Sequence, residues 1–149
     1  MKKPLRFFLA VLLVCLICLF FGFNYLSMTF SDGADYTEQD RSAYNFYTPD
    51  LLKNLPRISH SYRFHYSNVS GPNPALRYQA IFFGTTDQSK IEIYLERNGF
   101  QKTEVCTENG GCWIGSDPDI TVSVTVEKNP DAIHVEMLDK ADQAEKQDK

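Results

Sequence analysis

The residues best suited to chemistry are two cysteines in the stretch CTENGGC, Cys106 and Cys112. Their spacing fits a structural disulfide, a metal-binding site or a redox pair. A zinc site needs about four ligands, and no histidine lies near these cysteines in the sequence. A redox pair usually has the C-x-x-C spacing, which lowers the pKa of one thiol, and this pair lacks it. The choice therefore depends on whether the compartment of this segment oxidises thiols.

The three histidines do not form an evident catalytic or metal-binding set. His60 and His65 are separated by an odd number of residues on a predicted strand, which should send their side chains to opposite faces. We interpret His60 as a core residue on an aromatic face and His134 as a residue on the wet face of the last strand. Asp117 and Asp119 lie in a predicted turn, where aspartate commonly bonds to the backbone.

Familiar catalytic motifs are missing from the sequence. It contains no G-x-S-x-G, no H-E-x-x-H, no phosphate-binding glycine loop and no C-x-x-C outside its apolar N-terminal run. Its carboxylates are numerous but scattered. We therefore expect no enzymatic activity, no cofactor and no metal site, with an enzyme whose carboxylates converge only on folding as an alternative.

The N-terminus predicts a membrane anchor. A basic segment, residues 1–6, precedes an apolar run over residues 7–27, which is close to the roughly 20 residues that a spanning helix needs. A cleaved signal peptide has a shorter apolar region and ends at a small-x-small site, and no such site follows. A lipoprotein signal also fails, because neither Cys15 nor Cys18 follows a small residue. We interpret the run as an uncleaved anchor.

Charge predicts the orientation of this anchor. Cations precede the apolar run, whereas residues 31–40 are acidic, so the positive-inside rule places the N-terminus in the cytoplasm. We expect a single-pass protein of the bacterial inner membrane with its C-terminal domain in the periplasm. Because that space is oxidising, a disulfide between Cys106 and Cys112 is favoured. Cys15 and Cys18 are interpreted as small hydrophobic residues of a lipid-facing helix.

The part of the chain after residue 30 is acidic. It holds 12 basic and 19 acidic residues, a net charge of about −7. Such a surface disfavours nucleic acid and anionic lipid headgroups and favours a basic protein partner. Solubility alone is the other explanation of this charge.

The hydrophobic pattern predicts an α+β fold: an N-terminal transmembrane helix, then a small antiparallel sheet of about five to six strands with one main helix packed on one face. The predicted regions are a stalk over 28–47, the extracytoplasmic domain over 48–138 and a charged tail over 139–149. The domain should begin with a short helix after Thr48 as N-cap. Its main helix should run from Thr86 as N-cap to Gly99 as C-cap. The predicted strands cover residues 58–67, 76–83, 100–106, 112–115, 120–127 and 132–138.

Tyrosines are the candidate contact residues. Tyrosine is enriched at protein interfaces, because its ring is apolar and its hydroxyl is polar. Core packing is the alternative explanation for each of them. The candidates for partner binding are Tyr44, Tyr47, Tyr62, Tyr66 and Tyr78.

No motif identifies a family. The layout, a short anchor that carries a small, acidic, disulfide-stapled α+β domain into the periplasm, resembles that of immunity proteins that protect bacteria from envelope-acting toxins. We therefore expect a membrane-anchored periplasmic protein-binding module, with toxin neutralisation as its most concrete form. The alternatives are an accessory subunit of an envelope or secretion complex and an unrecognised periplasmic enzyme.

Overall fold

The chain forms two compact units, Met1–Ser31 and Asp32–Lys149. A computed structural model of the protein describes residues 2–103 and 111–140. The first unit contains helix α1, Lys2–Thr29. Its section Phe8–Thr29 has 22 residues and a mean hydropathy of 2.5, which is long and apolar enough to span a membrane. This helix covers the predicted span over residues 7–27.

The second unit is built on one antiparallel sheet. Its strands are β1 Gly33–Tyr36, β2 Tyr62–Val69, β3 Ala75–Phe83, β4 Gln101–Thr103, β5 Gly111–Ile114, β6 Ile120–Glu127 and β7 Ala132–Asp139. Its helices are α2 Arg41–Tyr47, α3 Asp50–Lys53 and α4 Ser89–Arg97. The strand order is β1-β2-β3-β7-β6-β5-β4. The predicted antiparallel sheet and nearby helix are confirmed, but the strand count is wrong, since the sheet has seven strands.

One face of the sheet is apolar and forms the core. Strand pairing places the buried side chains of neighbouring strands in continuous rows across the sheet. Successive residues of a strand point to opposite faces, so these rows share one face. Its largest buried members are Phe64, Phe82, Trp113, Val122, Ile133 and Val135. Helix α4 buries Ile91 and Leu95 completely, as the period of its apolar residues predicts.

The start of α4 differs from the prediction. The helix begins at Ser89 with Gln88 at the N-cap position, so Thr86 is not the N-cap. Asp87 performs the capping chemistry from one residue further out: its Oδ1 accepts a hydrogen bond from the Ser89 backbone N–H at 3.0 Å.

The end of α4 is as predicted. Gly99 has a φ of +84°, a left-handed conformation that glycine adopts without strain. The backbone N–H of Phe100 then donates to the carbonyl of Leu95 at 3.0 Å, which closes the last turn in a Schellman arrangement.

Residues from Asp32 onward belong to the same compact unit as the sheet, whereas the stalk was predicted over residues 28–47. Strand β1 pairs with β2, and α2 follows it, so the domain predicted over 48–138 already begins at residue 32. Tyr36 and Tyr47 are only 4% and 6% exposed. A four-residue strand is too short to show an alternating pattern, and its pairing with a distant strand supplies what the local sequence lacks.

Thr48 has a different role from the predicted N-cap. It is the C-cap of α2, while Pro49 precedes α3. Its buried hydroxyl donates to the hydroxyl of Tyr36 at 3.0 Å. Burial of Tyr36 raises the pKa of its phenol to about 12, so this group stays protonated. At the other end of the domain, β7 runs to Asp139, one residue into the predicted tail; residues 141–149 of that tail lie outside the described residues.

Candidate binding surface and the clusters around it

The sheet face opposite the apolar core is polar, and we call it the open face. Its buried members, Ala75, Ile81, Cys112 and Ala132, are small or lie between longer neighbours. The other side chains along it are half-buried or exposed. Its central polar residues are Asp35, Arg63, His65, Arg77, Gln79, Ser123, Thr125, His134 and Glu136.

Cross-strand pairs hold polar groups of the open face in place. His65 Nδ1 lies 2.9 Å from Asp35 Oδ1 on the neighbouring strand. His134 contacts Glu127 Oε2 through Nε2 at 3.1 Å and Gln79 Nε2 through Nδ1 at 3.4 Å. Such cross-strand pairs stabilise the sheet modestly and favour the observed side-chain positions. The open face is therefore a polar surface on which several side chains pair between strands.

The histidines are placed differently from the prediction in one case. His60 is exposed and precedes β2, so the core interpretation is wrong, because the strand begins at Tyr62, four residues later than predicted. His134 lies half-buried on the open face, as expected for the wet face of the last strand. Asp117 Oδ1 accepts a hydrogen bond from the Asp119 backbone N–H at 3.0 Å, in agreement with the predicted turn.

The five candidate tyrosines come together in one aromatic cluster at the β1–β3 side of the sheet. Ring centroids lie 4.6 Å apart for Tyr47 and Tyr66 and 5.5 Å apart for Tyr66 and Tyr78. The rings of Tyr44 and Tyr62 lie 5.2 Å and 6.0 Å from that of Phe64.

Burial divides these tyrosines into two groups. Tyr47 and Tyr66 are only 6% and 8% exposed, so their assignment to a partner-binding surface is corrected: they are core residues. The unpredicted helix α2 carries Tyr47 to this cluster, which explains the error. Tyr44, Tyr62 and Tyr78 are half-buried and retain surface for a contact.

An ion-pair cluster that the sequence did not predict joins β1–α2 to the chain before β2. Arg57 Nε donates to Glu38 Oε1 at 2.8 Å, and its Nη2 donates to the same oxygen and to the Tyr44 hydroxyl. The hydroxyl of Tyr62 donates to Glu38 Oε2 at 2.8 Å. Both carboxylate oxygens of Glu38 are therefore engaged.

Arg57 also binds the end of α3. Its guanidinium donates to the carbonyls of Leu52, Lys53 and Leu55. These carbonyls lie at or just beyond the C-terminus of a helix, where acceptors lack intrahelical partners. The same guanidinium lies 5.3 Å from the ring centroid of Tyr62. All three nitrogens of Arg57 thus serve the packing of this corner of the domain.

Electrostatics keeps this pair ionised. Burial alone would raise the pKa of Glu38, but hydrogen bonds from Arg57 and Tyr62 and the charge of Arg57 outweigh it and lower that pKa. Burial would lower the pKa of Arg57, but its hydrogen bonds to Glu38 and the negative charge of Glu38 outweigh this effect. The pKa of Arg57 is therefore raised. Neither group is suited to exchange protons near neutral pH. The cluster is structural.

Two adjoining clefts open beside the cluster. One, of about 570 Å³, is lined by Thr37, Glu38, Gln39, Arg41, His60, Ser61 and Tyr62. The other, of about 420 Å³, is lined by Arg57, Ile58, Ser59, His60 and Tyr62. His60 and Tyr62 border both. We call the larger one the His60 cleft.

The cysteines are only partly described. Cys112 is disulfide-bonded and 1% exposed, while Cys15 and Cys18 are free. Cys106 lies outside the described residues, so its pairing with Cys112 stays a prediction. Among residues 2–103 and 111–140, no group of three or more His, Cys, Asp or Glu side chains is arranged to hold a metal ion.

Comparison of the chain with protein-family models, with curated proteins and with solved structures finds no match. The roles of the open face and of the clefts therefore follow from their own residues and geometry.

Proposed function

We propose that this protein is a membrane-anchored, periplasmic binding module that holds or neutralises another protein through the open face of its sheet. The observation that carries the proposal is the open face itself, a broad polar surface on which several side chains pair between strands, such as His65 with Asp35. A surface ordered before binding loses little side-chain entropy on association. Neutralisation of an envelope-acting toxin, the role of the immunity proteins that this layout resembles, is the most concrete form of this function.

The anchor fits such a role. The helix Phe8–Thr29 is apolar enough to span a membrane, and the cations before it favour a cytoplasmic N-terminus in the bacterial inner membrane. Tethering confines the binding domain to the membrane surface, which raises its effective concentration against a target that acts there.

The expected partner is a basic protein. The chain after residue 30 has a net charge of about −7, which attracts a cationic partner over a distance of about one Debye length. The open face carries both signs, with Arg63 and Arg77 beside Asp35 and Glu136. Net charge would then steer the encounter, and the mixed pattern would set orientation. Association should slow as salt rises.

Capture of the partner protein by matched variants of the full chain tests the proposal. Thr125 is half-buried near the centre of the open face, and Thr86 is exposed in the loop before α4. Thr125→Arg places a long charged side chain in the proposed interface, and we expect partner affinity to fall at least about 30-fold. Thr86→Arg makes the same chemical change elsewhere and should bind as the unaltered chain does.

The outcomes separate the proposal from its alternatives. One basic protein, bound near one-to-one and lost with Thr125→Arg alone, supports it. Equal binding by both variants would contradict a role for the open face. If exchange of the span for an unrelated apolar helix abolished capture, the protein would instead be an accessory subunit whose span makes specific contacts.

A further inference from the structure

Two basic side chains line the His60 cleft. The guanidinium of Arg41 and the imidazole of His60 both line the cleft. Neither has a hydrogen-bond or ion-pair partner among residues 2–103 and 111–140. The side chains of Gln39 and Ser61 line the same cleft, and they too have no side-chain partner within the described part of the chain. The cleft therefore presents several unused hydrogen-bond donors to one space.

The carboxylates around this cleft are already engaged. Both oxygens of Glu38 accept hydrogen bonds from Arg57 and Tyr62. The neighbouring Asp40 accepts through one oxygen, Oδ2, from the backbone N–H of Thr37 at 3.2 Å and from its hydroxyl at 3.3 Å. With Arg41 and Arg57 opposing these two acids, the formal charge of these four groups is zero. The cleft is thus a local exception in an acidic domain.

The available chemistry selects an anion. A guanidinium presents a planar fork of donors that matches the oxygens of a carboxylate or a phosphate. An imidazole N–H, an amide and a hydroxyl add donors of lower charge. A volume of about 570 Å³ lies in the range of small-molecule sites and exceeds what a bare ion needs.

We propose that the His60 cleft is a binding site for a small polar molecule that carries a carboxylate or phosphate group, held by Arg41 and His60. Gln39 and Ser61 contact the rest of the molecule. This site is separate from the open face, so anion binding at the site can be tested independently of protein binding at the open face.

NMR titration of the full chain in maltoside micelles tests this site. Inorganic phosphate and acetate are the probes, and chloride at equal ionic strength is the reference. We expect saturable shifts of the His60 ring signals with phosphate or acetate and none with chloride. Which probe binds more tightly identifies the preferred anion. A shift on transfer to phosphatidylglycerol nanodiscs, without added probe, would identify a lipid phosphate as the source.

Charge-matched variants locate the binding. Arg41→Gln should raise the dissociation constant at least tenfold. His60→Gln should also raise it, and binding to this variant is followed through the backbone signal of Ser61. Arg97→Gln removes another exposed cation, at the end of α4, and should leave the constant unchanged. The proposal is overturned if no probe gives saturable shifts at His60, or if Arg41→Gln and Arg97→Gln bind equally well. Unchanged thermal melting of each variant confirms that its fold is intact.

Discussion

Replacement of Arg57 by methionine should lower the free energy of unfolding by about 3 kcal/mol. The Arg57 side chain is 24% exposed and donates to Glu38, to Tyr44 and to three backbone carbonyls. Methionine keeps much of the aliphatic volume and removes every donor. A hydrogen bond to a charged group contributes about 1.5–3 kcal/mol, and breaking a fully buried ion pair costs about 3–5 kcal/mol. Because Glu38 is 37% exposed and regains water, the lower part of that range applies.

Tryptophan fluorescence during urea unfolding measures this loss. Trp113 is the only tryptophan of the sequence and is 1% exposed, so its emission reports on the sheet rather than on the anchor. Arg63→Met is the matched control: Arg63 is exposed and lies over the Phe83 ring at 5.4 Å, a contact that contributes about 0.5–1 kcal/mol at such sites. Equal losses in the two variants would refute the structural role assigned to Arg57.

Three further predictions use the same assay. Glu38→Gln should destabilise the domain at neutral pH; because folding lowers the pKa of Glu38 from its ordinary 4.5, the difference from the unaltered chain should shrink below about pH 4.5 and vanish at more acidic pH. A difference that stays constant with pH would contradict the ion pair. Gly99→Ala should cost about 1 kcal/mol, since φ is +84° there, and Gly99→Asn should cost less; equal costs would argue against the left-handed cap. Cys106→Ser should lower the free energy of unfolding by at most about 2 kcal/mol and leave partner capture intact. Mass spectrometry of unreduced peptides should find Cys106 joined to Cys112. Loss of stability on addition of a chelator would instead indicate a metal site.

Local sequence patterns predicted the elements whose own residues show a regular hydrophobic period or a capping residue. Strand β6 alternates β-branched and polar residues, and Val122 and Val124 are buried as that alternation requires. Helix α4 ends at Gly99 because a glycine there relieves the strain of a left-handed residue.

Elements that depend on distant contacts were not predictable. The four residues of β1 are held by pairing with β2, some 30 residues further along the chain. The Glu38–Arg57 pair joins residues 19 positions apart, and no local pattern indicates it. The alternation of β2 correctly identified an aromatic face but could not say that α2 would cover part of it. Tyr47 and Tyr66 were assigned to a binding surface for that reason.

Photocrosslinking in living cells is the most direct test of binding through the open face. A photoreactive phenylalanine analogue replaces Thr125 on the open face or, as the control, Thr86 in the loop before α4 of the full chain. We predict that the analogue at position 125 forms an adduct with one basic periplasmic or incoming secreted protein and that the analogue at position 86 does not. Adducts at position 86 but not at 125, or no adduct at 125 while the protein's partner-dependent phenotype persists, would contradict a protein-binding role for the open face.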